Sequence, residues 1–203
     1  MKYPQDPVSN APPRSIRADR RGQSVIEFAV AMPFMILITI GSFVVGMSMD
    51  RYITVEQLVR NAGNMFARGI DFSSPQNQQV LLRAASGLDI TTTGGEGVVY
   101  LSLVLMAPPG SGANENQPVI AQRFVIGNTA KGASSVGTPP VDSDGTVPDY
   151  FNDPAAVATL PTAVTSALVP NQRVFVSEVR HDGNRFNFSP IISSGAMYSR
   201  ALF

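Results

Sequence analysis

The residues best placed to do chemistry stand at the mouth of an apolar run. Arg20, Arg21, Gly22, Gln23, Ser24, Val25, Ile26 and Glu27 lead into 22 uncharged residues, Phe28 to Met49. An unpaired charge near mid-membrane costs about 2.5–3.5 kcal/mol, and less at the interface. Glu27 therefore calls for a partner. Local chemistry offers one: Ser24-Val25-Ile26-Glu27 has the form of a capping box, with Ser24 as N-cap. A carboxylate also suits the positive end of a helix dipole. The alternative is a cation from elsewhere.

Other groups offer less. Asp142, Asp144 and Asp149 are candidates for calcium, in the run Asp142-Ser143-Asp144-Gly145 with Asp153 nearby. The calcium-loop pattern needs another ligand before its Gly and a later Glu, and both are missing. Asp and Gly also favour this loop for turn geometry alone. No other metal and no cofactor is expected. His181 is the only His, lies beside an Asp182-Gly183 turn signal, and is expected to be solvated. The chain has no Cys, no second His and no G-x-S-x-G element, which argues against a hydrolase triad or a zinc site. The chain is expected not to be an enzyme. Gly94, Gly95 and Gly97 precede a strand rather than a helix, so they form no phosphate loop. Asn187-Phe188-Ser189 matches a glycosylation sequon but is followed by Pro190. Formal net charge is zero, with no basic face to attract nucleic acid.

The elements around these groups follow from pattern. Residues 1–22 read as a Pro-rich cytoplasmic leader, with Arg14, Arg17, Arg20 and Arg21 against Asp19. That excess of positive charge keeps the N-terminus inside and places everything beyond Met49 outside. The apolar run, about 33 Å long as a helix, exceeds a signal-peptide core, and Gly46-Met47-Ser48-Met49 is a poor cleavage site. A membrane helix is expected over about residues 25–49, kinked or briefly unwound between Ala29 and Pro33. The helix continues over residues 50–68, because Tyr52, Val55, Val59, Ala62 and Phe66 recur at spacings of three and four. Gly63 is its weakest position and Gly69 its stop. The long helix is thus residues 23–69, and residues 70–203 form an outer domain.

In that domain Ser73-Ser74-Pro75 starts a helix and Gly87 lies past its end. Val98–Met106 and Pro118–Ile126 read as strands of a long-looped hairpin. Residues 127–150 read as exposed loop, and Pro154–Leu168 as short helices broken at Pro161. Arg173–Arg180 alternates as a strand, with Val174, Val176 and Glu178 on one face and Phe175, Ser177 and Val179 on the other. Phe186–Phe203 is a further pairing segment. The expected fold class is α+β: a small, loop-rich, mainly antiparallel sheet against the long helix.

Gly22, four residues, then Glu27 and an aromatic resembles the processing site of type IV prepilins. More closely, Arg20 through Phe34, with its Met32-Pro33 step, is similar to TadE-like pseudopilins of the tight-adherence (Tad/Flp pilus) secretion system. The likeness covers about residues 20–69. It implies cleavage between Gly22 and Gln23 by a prepilin peptidase. Glu27 would pair with the new terminal ammonium of a neighbouring subunit, and Phe28 would help set register. It implies a minor pseudopilin in assembly, priming or tip of a pilus used for adhesion and biofilm formation. Its partners would be other pilins and pseudopilins, met through the helix, with inner-membrane Tad assembly proteins and lipid. It would sit single-pass in the inner membrane, its outer domain periplasmic or, within a pilus, extracellular. Two rivals remain at this point: a signal-anchored periplasmic binding domain outside any filament, and a secreted calcium-binding domain.

Overall fold

The computed structural model describes residues 22–182 and 196–203. Arg14, Arg17, Arg20, Arg21, Gly183, the sequon at Asn187 and the first part of the Phe186–Phe203 segment lie outside the described residues.

Helix α1 runs Gln23–Ala67 with Pro33 inside it. Helical assignment is unbroken on both sides of Pro33, so there is no unwound turn at Ala29–Pro33. The chain divides into two compact units within α1, one ending at Phe43 and the next starting at Val44.

In the first unit apolar side chains point outward on every side. Val25, Phe28, Met32, Met35, Leu37 and Phe43 are all exposed. A helix that is hydrophobic all round requires lipid or other helices about it. The helix is long and apolar enough to cross a membrane.

In the second unit α1 becomes one-sided. Val55, Leu58, Val59, Ala62 and Phe66 are buried. Tyr52 is 53% exposed and does not belong to the stripe. Leu58 takes its place, because the buried arc follows 55, 58, 59, 62 and 66 and turns away from position 52. Phe66 anchors the helix end through edge-on contacts with Phe124 and Phe175, at 5.7 and 5.2 Å between ring centroids.

Helix α2 (Pro75–Ala84) starts after Ser74 and buries Leu81. Strands β1 (Gly97–Met106), β2 (Pro118–Gly127), β3 (Arg173–His181) and β4 (Met197–Leu202) form one antiparallel sheet in the order β2-β1-β3-β4. The β1–β2 register shifts between Leu103 and Val104. Two short 3-10 turns (Thr129–Lys131, Pro154–Ala156) and α3 (Thr162–Thr165) sit in the connection between β2 and β3. The fold is α+β.

The sheet is covered on both faces. Val99, Leu101, Phe124, Ile126 and Val179 pack with α1 and α2. Val104, Ile120, Val174 and Val176 pack against Val136, Val147, Ala156 and Ala158 of the long connection. Residues 127–150, expected as exposed loop, thus supply a second core layer. Gly63 survives inside α1 because Phe203 lies on it: a Cβ there would meet the ring at 2.0 Å.

Candidate functional site

The junction expected to do chemistry sits at the first turn of α1. Gly22 is exposed, and its carbonyl accepts from Ile26 N–H at 3.3 Å. Ser24 therefore lies inside the helix rather than at its N-cap, and the capping box does not form. Glu27 finds a different local partner: Gln23 Nε2 donates to Glu27 Oε1 at 3.0 Å, one turn away. Phe28 is exposed beside it. Phe28, Met32, Met35, Ile36, Thr39 and Ile40 line a shallow apolar groove along one face of this unit. Thr39 Oγ1 donates to Met35 O at 2.8 Å, which leaves the groove free of an unpaired hydroxyl.

The aspartates of the 142–153 segment are used in turns. Asp144 accepts from Thr146 N–H and Oγ1–H, both at 3.0 Å, and these bonds hold its carboxyl below the ordinary range. Asp149 Oδ1 accepts from Asn152 Nδ2 at 2.7 Å. Among the described residues no three His, Cys, Asp or Glu come together as a metal site, so Asp142, Asp144 and Asp149 are not assembled into one.

His181 is buried rather than solvated. Its Nε2 meets Leu88 O at 2.7 Å, and burial, the largest cause, pushes the ring below its ordinary pKa. Strand β3 carries it inward against the α2–β1 connection, a placement its neighbour Gly183 could not signal. Lys131 joins the same end of the sheet, with Nζ 2.8 Å from Glu96 and 3.4 Å from Asp182.

A polar network runs across the other sheet face. Arg123 and Ser102 pair between β2 and β1, and Arg123 donates to Ser102 Oγ at 3.0 and 2.9 Å. It also donates to Ser134 Oγ at 2.9 Å and to Gly137 O. Glu178 on β3 is fully buried and accepts from Ser134 Oγ, Ser135 N–H and Oγ, and Tyr198 Oη. Burial is the largest influence on Glu178 and would raise its pKa; these hydrogen bonds together outweigh it and hold the carboxyl below the ordinary range. Ser134 thus bridges a buried guanidinium and a buried carboxylate. Such pairs endure only when their remaining donors and acceptors are satisfied. The sequence carries a signal for this network: Glu178 falls in phase with Val174 and Val176, an acid at an inward position.

Ser199 Oγ donates to Glu56 Oε2 at 2.6 Å and ties β4 to α1. Residues 22–63 match the family model described as TadE-like protein. No curated protein and no solved structure matches the chain.

Proposed function

We propose that this chain, TadE-like over residues 22–63, is a non-enzymatic minor pseudopilin of a Tad-type pilus. The match supports a Tad pilus-related protein, and the exposed apolar helix supports a membrane anchor; we further assign it a role in assembly, priming or the tip. In this reading a prepilin peptidase cuts between Gly22 and Gln23. The outer domain lies on the periplasmic side, and α1 packs on neighbouring pilin helices. The observation that carries the reading is the coincidence of three features. The match begins at Gly22, Glu27 stands one turn inside the helix, and the groove lined by Phe28, Met32 and Met35 follows on an unburied apolar face.

The chemistry is one of ion pairing. Cleavage would turn the Gln23 amide nitrogen into an ammonium. A carboxylate close to it at the edge of lipid neutralises a charge that is costly to bury. Because Gly22 O already accepts from Ile26 N–H, the peptidase must first unwind this turn to reach the scissile carbonyl. A second reading has its own support: Gln23 Nε2 already serves Glu27, so the acid has a local partner without a second subunit.

The two readings part on Glu27→Gln. In the pseudopilin reading the variant is still processed, but cross-links from a photoreactive residue at Met32 to other pilins fall by about tenfold, the weight of a charge-assisted contact of 1.4 kcal/mol. Unchanged cross-linking with normal processing would leave Glu27 as a local hydrogen-bond acceptor only.

A further inference from the structure

We infer that the end of the sheet at Arg180, Tyr198, Arg200 and Ser135 is an oxyanion-binding site, for a carboxylate or a phosphate group. Strands β3 and β4 build it. Arg180 pairs with Tyr198 and Glu178 with Arg200, so the two arginines are diagonal neighbours on one face. Diagonal positions of this kind lie about 7–8 Å apart, a span that one oxyanion bridges with long side chains.

The side chains interlock. The Arg180 guanidinium lies over the Tyr198 ring at 4.7 Å. Tyr198 Oη stands 2.6 Å from Ser135 Oγ, and Arg200 Nη1 reaches the same Oγ at 3.5 Å. Gly132 lets Arg180 approach, since a Cβ there would meet Arg180 Cδ at 2.9 Å.

Charge decides what such a site takes. Arg123, Arg180 and Arg200 share this face with Glu178, and at its end Glu96 and Asp182 are held by Lys131. Arg123 is answered by Ser102, Ser134 and Gly137 O. Glu178 lies behind Tyr198 and Ser135 with its oxygens occupied by hydrogen bonds from Ser134, Ser135 and Tyr198. Among the described residues neither Arg180 nor Arg200 enters a salt bridge. Among the described residues the buried Arg180 Nε has no acceptor. Buried donors without acceptors are rare, and guanidiniums matched to an oxyanion supply charge-assisted, geometrically specific bonds. Tyr198 is 38% exposed and Ser135 is exposed, so the constellation opens to solvent.

The site does not depend on processing or entry into a filament. Its test uses the full chain in neutral detergent micelles, titrated with sodium glucuronate, with inorganic phosphate, and with glucose as the uncharged control. Saturable, mutually competitive binding of the anions at millimolar concentration is expected, with glucose inert. The anion that binds more tightly tells whether the source is a sugar acid or a phosphate group. Arg200→Gln and Arg180→Met are each expected to weaken binding by about tenfold or more, with Arg60→Gln on α1 as an unaffected control. Arg200→Gln guards against misfolding, since the Arg200 hydrogen bond to Ser135 Oγ is solvent-exposed. The proposal is overturned by absence of saturation up to about 10 mM. It is equally overturned by glucose binding as well as glucuronate, or by unchanged anion affinity in both variants.

Discussion

Replacing Gly63 by Ala sets two effects of opposite sign against each other. Ala is favoured over Gly inside a helix by about 0.8–1.0 kcal/mol. On propensity alone the variant would be more stable. The added Cβ, however, would lie 2.0 Å from Phe203 Cε2, 2.6 Å from Cδ2 and 2.9 Å from Cζ. The ring has to leave. Phe203 is 39% exposed, so most of its surface is removed from water in the fold. A phenylalanine that buries roughly 100 Å² contributes about 2.5 kcal/mol at 25 cal/mol per Å². Phe203 also exchanges two backbone hydrogen bonds with Phe175, at 2.9 and 3.0 Å, which resist its displacement. Loss of most of the ring contact outweighs the helix gain. We expect Gly63→Ala to destabilise by about 1–2 kcal/mol. Chemical unfolding of the detergent-solubilised chain, followed by far-UV circular dichroism, measures it. The decisive step is a double-mutant cycle with Phe203→Ala. There the clash is gone, and Gly63→Ala should stabilise by about 1 kcal/mol, a reversal of sign. The same destabilisation in both backgrounds would show that Phe203 is not what Gly63 accommodates.

Leu58→Ala should cost about 2–5 kcal/mol in the same unfolding assay, whereas Tyr52→Ala should stay within about 0.5 kcal/mol, because only Leu58 faces the core. Glu178→Gln should cost about 2–4 kcal/mol, since the Arg123 guanidinium loses its buried counter-charge. Glu178 is held below its ordinary pKa in the fold, so its stabilisation is present above the unfolded value near 4.5 and disappears as pH falls through the lower folded value. The variant should therefore lose less on acidification, as a melting series from pH 6 to pH 3 would show. His181 is also depressed, so the neutral ring is the folded form, and stability should fall as pH drops below the unfolded value of about 6.5. His181→Gln should flatten that slope between pH 7 and 5; an unchanged slope would assign it to other groups.

The sequence told most where one physical rule acted alone. The uncharged run from Phe28 to Met49 marks the membrane-length helix, and Ser73-Ser74-Pro75 marks the start of α2. The capping box at Ser24 and Glu27 does not form because α1 begins at Gln23, and a capping box needs Ser24 outside the helix. Tyr52 fits the spacing of the stripe but sits at its edge, where one residue of phase moves a side chain from core to solvent. His181 looked solvated because local turn chemistry says nothing about Leu88, which is distant in sequence. Likewise the 127–150 stretch has loop composition, and only the tertiary fold puts Ser134, Ser135, Val136 and Val147 over the sheet. The bridge from Arg123 through Ser134 to Glu178 is non-local, though Glu178 in phase with two valines is its visible trace.

A pseudopilin of this kind is cut at the Gly22–Gln23 bond in the reading proposed above. Intact mass and N-terminal sequencing of the protein extracted from membranes of cells with a working prepilin peptidase test it most directly. Processing at Gly22 predicts a chain that begins at Gln23, and one still carrying residues 1–22 when that peptidase is absent. A chain that retains residues 1–22 in both cells would contradict it.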